Sequence, residues 1–154
     1  MSGTIDSRLS ALGIELPEAP MPAANYVPYV ISGKMLYVSG QISQGPDGLI
    51  TGKVGDALDT AAGAEAARRC ALSLIAQARA ACGGDLDRIA RVVKLVGFVN
   101  STPDFIDQPV VVNGASDLFV EIFGDAGRHA RSAVSAGSLP RGVAVEIEAI
   151  FELA

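Results

Sequence analysis

Arg131 and Glu146 carry the plainest chemical signal in this 154-residue sequence. Arg131 stands in A-R-S-A-V-S-A-G-S-L-P, a strand-like run of small and apolar residues that ends in a turn. A half-buried guanidinium in such surroundings needs an anion or a full set of hydrogen-bond acceptors. The sequence offers two kinds of anion. One is Glu146 or Glu148 in the next run, V-A-V-E-I-E-A-I-F-E-L, which would give a structural ion pair. The other is the carboxylate of a small ligand, which a planar guanidinium grips through two parallel hydrogen bonds. Residue types alone leave both open.

The elements that must position these side chains follow from periodicity. In the last run Val143, Val145, Ile147, Ala149, Phe151 and Leu153 alternate with Ala144, Glu146, Glu148, Ile150 and Glu152. The first set belongs against a core and the second faces away from it. Joined to it as a hairpin through S-L-P-R-G, the run 130–137 turns Val134 and Ala136 to the core. Arg131, Ala133 and Ser135 then share the outer face with Glu146 and Glu148, because a one-residue slip would invert every side chain. That outer face mixes charge with Ile150 and Ala133, the pattern of a face half-covered by an oligomer partner.

Upstream, Y-V-P-Y-V-I-S-G-K-M-L-Y-V-S-G-Q-I reads as a hairpin turning at Ser32-Gly33, and S-Q-G-P-D-G as a second turn. From about Asp56 to Cys82, Ala67, Cys70, Ala71, Leu74, Ile75 and Ala78 recur at helical spacing. Glu65, Arg68, Arg69 and Arg79 take the other side, with Glu65 and Arg69 spaced for an ion pair, and Gly83-Gly84 stops the helix. This predicts a long amphipathic helix with a shallow apolar face. R-I-A-R-V-V-K-L-V-G-F-V-N reads as a central, mostly buried strand. Thr102 and Pro103 open a short turn, and a second helix runs from about Val110 to Phe123, held back by Pro109 and ended by Gly124. Residues 1–24 suggest a short helix or extended arm and then a proline-rich loop. The order β-β-α-β-α-β-β predicts an α+β two-layer domain, one mixed sheet with both helices on one face.

Length fits one domain over residues 1–154. Apolar residues make up 49% of the chain but never form the ~18-residue uncharged run of a membrane span. The start lacks a basic stretch followed by a long apolar one, so a soluble cytoplasmic protein is expected. The net charge of −5 leaves no basic footprint for nucleic acid, and no aromatic-basic platform is visible. One histidine and no C-x-x-C leave no zinc set. Cys70 and Cys82 on one helix would lie ~18 Å apart, too far for a disulfide. They read as reduced thiols, Cys70 in the core and Cys82 near a helix end. His129 reads as a loop residue, and Tyr29 and Tyr37 as strand packing or interface.

Several blocks together resemble one family. A-R-S-x-V followed by L-P-x-x-V-x-V-E-I-E-A-I resembles the C-terminal signature of the RidA/YjgF family, the reactive intermediate deaminases also labelled endoribonuclease L-PSP. Y-V-x-x-V near residue 26, S-G-Q-I at 39–42, V-K-x-x-x-F-V at 93–99 and V-N at 112–113 extend the resemblance, in the family's order, over about residues 24–153. It implies a chorismate-mutase-like α+β domain, a trimer with three clefts between subunits, and no cofactor or metal. It also implies hydrolysis of enamines and imines such as 2-aminoacrylate to 2-keto acids plus ammonia. By the same resemblance Arg131 pairs with the substrate carboxylate and Glu146 holds the attacking water. Tyr26, Ser39 and Gly40 line the cleft, and Asn113 lies near it. The chemistry asks only that an imine be oriented, a proton supplied and a water placed.

The sequence departs from the family pattern in places. Ala133 stands where the family often has cysteine, so no thiol there serves this protein. The stretch from Phe105 to Asn113 carries extra residues including Pro109, G-D-A-G-R-H is an unusual lead-in to the arginine, and residues 1–23 form a longer extension than the commonest one. These features mark a divergent subgroup. Two other functions fit less of the sequence: a carboxylate-binding or regulatory protein without turnover, and an RNA-directed endoribonuclease or translation inhibitor, which the acidic charge disfavours.

Overall fold

The computed structural model describes residues 3–154. Its strands are β1 (Tyr29–Ser32), β2 (Met35–Ile42), β3 (Gln44–Gly45), β4 (Gly48–Leu49), β5 (Ile89–Asn100), β6 (Ala130–Ala136) and β7 (Val145–Leu153). Its α-helices are α1 (Thr4–Ala11), α2 (Thr60–Ala81) and α3 (Gln108–Phe123). Five strands make one mixed sheet in the order β1-β2-β7-β5-β6, and β3 and β4 pair as a separate small hairpin. Within that sheet only the β5–β6 pair runs parallel. The apolar sides of α2 and α3 share one cluster with the inward residues of β2, β5 and β7, among them Leu74, Ile75, Phe119, Leu95, Ile147 and Phe151. This is the expected α+β two-layer architecture with a mixed sheet.

Local chemistry explains the helix ends. The Asp59 carboxylate accepts from the Ala62 N–H at 2.8 Å and opens α2. Asp87 does the same at a distance for α1, accepting from the Thr4 and Ile5 N–H groups at 2.8 and 2.9 Å. A carboxylate there meets the positive end of the helix dipole, and the contact pins the start of the chain to the turn before β5. The shallow apolar face expected of α2 is wrong. Ala66, Ala67, Cys70 to Ala76 and Ala78 are nearly all buried, because α2 is enclosed by the sheet, by α3 and by the proline-rich arm. Arg79, expected on the side away from the apolar face, pairs with Asp6 of α1. Glu65 and Arg69 do pair, at 3.3 Å. The two main helices touch backbone to backbone at Gly114, where a methyl group would collide with the Ala64 carbonyl.

The largest departure from expectation is the end of the chain. β6 and β7 do not form a hairpin. β6 adds to the free edge of β5 in parallel, and β7 lies between β2 and β5. Residues 142–144 explain the detour. The Gly52 N–H donates to the Gly142 carbonyl at 3.0 Å and the Ala144 N–H to the Ile50 carbonyl at 2.9 Å, so the connecting turn is held by the segment after β4 rather than closing on β6.

Register then assigns the faces. Arg131 lies opposite Leu95, and Leu95 opposite Ala149, so Arg131 belongs to the helix-covered face. Val134 lies opposite Phe98, and Phe98 opposite Glu146, so these share the open face. The expectation that Arg131 and Glu146 share a face is therefore overturned, as is the placement of Val134 in the core; Val134 is 44% exposed. β5 is central as expected but buried on one face only, and Lys94 is exposed.

Candidate functional site

Glu146 sits beside an irregularity. The register between β2 and β7 shifts between Val38 and Gln41, which leaves Ser39 and Gly40 as a bulge next to the carboxylate. A methyl group at Gly40 would strike the Glu146 carboxylate oxygen, so glycine is what lets the backbone come this close. Ser39 ties the bulge to the preceding loop: its hydroxyl donates to the Val27 carbonyl at 2.8 Å and its N–H to the Pro28 carbonyl at 2.9 Å. That loop carries Tyr26. Tyr26, Gly40, Gln41 and Glu146 line one cavity, whose far wall is Pro20 to Ala23 and whose rim includes Arg141. Partial burial, and then the neighbouring Glu148, push the Glu146 carboxyl above its ordinary value.

Two buried glutamines fix this region. Gln77 of α2 is 1% exposed; its amide donates to the Pro20 carbonyl at 2.6 Å and to the Gln41 side-chain oxygen at 3.5 Å. Gln41 donates in turn to the Ser39 carbonyl at 2.9 Å. The arm, the bulge and α2 are thus joined through amides whose polar atoms would otherwise lie buried and unpaired.

Arg131 stands elsewhere. Its Nη1 donates to the Ser116 hydroxyl at 3.0 Å and its Nη2 to the Pro109 carbonyl at 3.1 Å. Ser116 also contacts His129 Nε2 at 2.9 Å, and His129 Nδ1 contacts the Gly127 carbonyl at 2.7 Å. Neither Glu146 nor Glu148 pairs with Arg131, and among the described residues no carboxylate lies within ion-pair distance of it. The ion pair considered from sequence is absent because β5 separates the strands and the faces are opposite. Pro109, Asn113 and Ser116 recur at helical spacing on α3, so exposed Asn113 belongs to the stripe against which Arg131 lies.

The residues singled out from sequence therefore fall into two clusters. Tyr26, Ser39, Gly40 and Glu146 come together; Arg131 and the Asn113 stripe form the second. Sequence reasoning missed Ser116, Gln41, Gln77 and the Pro20–Ala23 wall, and gave His129 no partner. Helical spacing from Pro109 and Asn113 pointed at Ser116. Nothing local pointed at Gln77, whose partners are remote in sequence. Arg141 was also missed; among the described residues it is the one non-glycine with positive φ, 59°, a conformation of uncommon cost.

Cys70 and Cys82 are both free and buried. The Cys70 S–H donates to the Val145 carbonyl at 3.4 Å, and burial, followed by the Glu146 charge, raises its pKa. Burial also raises that of Cys82. Among the described residues no helix is long and apolar enough to cross a membrane.

Two helices on one face of this mixed sheet, with polar clusters at a bulge on one face and at an edge strand on the other, define a chorismate-mutase-like α+β protein. The chain belongs to the YjgF/chorismate mutase-like family, which also carries the endoribonuclease label; residues 6–150 match the family model. It is 52% identical to Protein TCP17 of Trypanosoma cruzi over 154 residues, covering 99% of this chain and 96% of that protein. Among solved structures, Atu1372 of Agrobacterium tumefaciens, a protein of unknown function, superimposes with a TM-score of 0.90 at 49% identity, covering 97% of this chain and 92% of that one. A Shewanella oneidensis MR-1 protein bearing the endoribonuclease label superimposes with a TM-score of 0.93 at 38% identity, covering 98% and 100%.

Proposed function

We propose that the protein hydrolyses short 2-imino or enamine acids to 2-keto acids and ammonia, at clefts between the subunits of a trimer. The observation that carries this is the separation of the two clusters. One offers a carboxylate in a cavity with Arg141 at its rim, the other the Arg131 guanidinium with neutral partners and no carboxylate. A second copy of the chain can bring the Arg131 cluster of one subunit over the Glu146 cavity of the next. The open sheet face offers such a contact apolar side chains, since Val30, Tyr37, Ile150 and Val134 lie on it among Lys94, Glu148 and Glu152. A more distant relative, TdcF of E. coli, 26% identical with a TM-score of 0.60, has been solved with bound serine, a small amino acid carrying a carboxylate.

In this mechanism Arg131 holds the substrate carboxylate. Glu146, ionised, takes a proton from water as the water oxygen adds to the imine carbon. Glu146 returns that proton to the nitrogen of the resulting carbinolamine, the C–N bond breaks, and ammonia leaves with its electron pair while the hydroxyl proton passes back to Glu146 as the carbonyl forms. A carboxyl with a raised pKa is suited to both taking and returning that proton.

Subunit mixing tests the assembly and the chemistry together. Arg131→Ala and Glu146→Gln chains should each be inactive toward freshly generated 2-aminoacrylate. Refolded together in equal amounts, they should recover about a quarter of wild-type turnover, because each mixed trimer of cyclic symmetry contains one intact cleft. No recovery, with both variants trimeric, would overturn the shared cleft. Tight keto-acid binding without acceleration of any imine would favour a binding protein instead.

A further inference from the structure

The contacts around Arg131 have a direction. The Gly127 carbonyl can only accept, so His129 Nδ1 carries the ring proton and Nε2 presents its lone pair. The Ser116 hydroxyl therefore donates to Nε2 at 2.9 Å. Its oxygen lone pairs are then left to accept from Arg131 Nη1 at 3.0 Å. The chain Arg131 to Ser116 to His129 to Gly127 is consistent at every link, and the Pro109 carbonyl fixes the other arm of the guanidinium. Two of the five guanidinium N–H groups are occupied by these bonds, and the remaining three have no partner among the described residues and can serve a ligand.

We propose that Ser116 and His129 are positioning residues, which hold the Arg131 guanidinium in the orientation that receives a ligand carboxylate and make the imidazole responsive to its occupancy. This rests on the carboxylate-binding role given to Arg131 above. An all-neutral set of partners suits that role: a glutamate would neutralise the cation, whereas a hydroxyl and a carbonyl orient it and leave its charge for a ligand. His129 also packs edge-on against Phe119, with ring centroids 5.9 Å apart, which restrains the imidazole.

The charged side chains on the elements around His129 are Arg131 on β6, Arg128 and Asp125 in the preceding turn, Arg91 and Lys94 on β5, and Asp117 and Glu121 on α3. Burial, and then the Arg131 charge, hold the imidazole below its ordinary pKa, while its bond to Gly127 opposes them. A carboxylate bound to Arg131 offsets that charge, so it raises the His129 pKa. By linkage, pyruvate affinity then rises as pH falls through the His129 range.

His129 is the single histidine, so its NMR titration reads this site without overlap. Pyruvate serves as the probe, with affinity measured by calorimetry on the full chain. Ser116→Ala should weaken pyruvate binding about tenfold, as loss of a hydrogen bond to a charged group does, and Ser116→Thr should restore most of it. Saturating pyruvate should move the His129 midpoint upward in the wild-type protein. Unchanged affinity in Ser116→Ala, or a His129 midpoint indifferent to bound pyruvate, would overturn the positioning role while leaving the function intact, provided Arg131→Ala abolishes binding. No pyruvate binding to the wild type, or binding that survives Arg131→Ala, would overturn the carboxylate role of Arg131 and this inference with it.

Discussion

The Glu146 cluster and the Arg131 cluster are built in different ways. Glu146 is half-buried: a bulge and a proline-rich arm, braced by two buried glutamines, flank a carboxyl whose pKa is raised. Arg131 stands at a sheet edge against one helix, with three short bonds linking it to Ser116, Pro109 and, through Ser116, His129. The first arrangement makes a cavity and the second presents a charge. A cavity holding a carboxylate and a guanidinium held without one are complementary surfaces, and their placement on opposite faces of one sheet keeps them from meeting inside a single chain.

Substitutions that injure one cluster and spare the other sharpen this contrast. The largest effect is expected from Arg131→Ala: turnover of 2-aminoacrylate should fall by about a hundredfold or more, since the proposed bidentate charged contact is lost. Calorimetric unfolding should change little, because the partners left behind are a hydroxyl and a carbonyl at the surface. Normal turnover would detach the Arg131 cluster from catalysis. Next comes Gly114→Ala, which forces α3 away from the Ala64 carbonyl and should cost roughly 2–3 kcal/mol of stability, as overpacking does. Denaturant melts read this directly, and an unchanged midpoint would show that the helices have room to separate.

The two clusters also differ in how far the sequence revealed them. Alternation in V-A-V-E-I-E-A-I assigned the face of Glu146 correctly, because one strand's own pattern was enough. The face of Arg131 needed the pairing partner of its strand, and a short loop between two strands favoured a hairpin that does not exist. The hydrogen bonds of residues 142–144 with the segment 50–52 decide that question, and they connect stretches far apart in the chain. The helices and the first hairpin were legible for the opposite reason: glycine stops and periodic alanines and leucines are local signals. The enclosure of α2 was not legible, since a helix covered on several sides by small residues has the same local pattern as one covered on a single side.

A smaller effect separates the clusters again. Gly40→Ala adds a methyl group against the Glu146 carboxylate, so the carboxylate must turn aside. The obstacle is the end of a flexible side chain, and the thermal midpoint should barely move. The turnover number should fall about tenfold, the scale of a general base displaced from its water. Keto-acid affinity, which the proposed mechanism assigns to the Arg131 cluster, should stay near wild type. Parallel loss of affinity and turnover would mean that the two clusters do not act separately.

The subtlest effect is on pH dependence. In the proposed mechanism Glu146 must be ionised to take a proton from water, so the turnover profile should rise with pH through its raised pKa. Glu148 contributes to that rise in pKa by like-charge repulsion, after burial. Glu148→Gln should therefore shift the acid limb of kcat/KM toward lower pH and leave the plateau height unchanged. The stability consequence has the opposite sense from the usual surface carboxylate. A pKa raised on folding penalises the ionised folded state at neutral pH, and the penalty fades as pH falls through the folded value. Glu146→Gln should accordingly raise the thermal midpoint slightly at pH 7, and the difference should shrink as pH falls toward the ordinary carboxylate pKa. A Glu146→Gln protein less stable than wild type at pH 7 would mean that the ionised carboxylate is held by favourable contacts, and that the cavity stabilises the charge it is proposed to use.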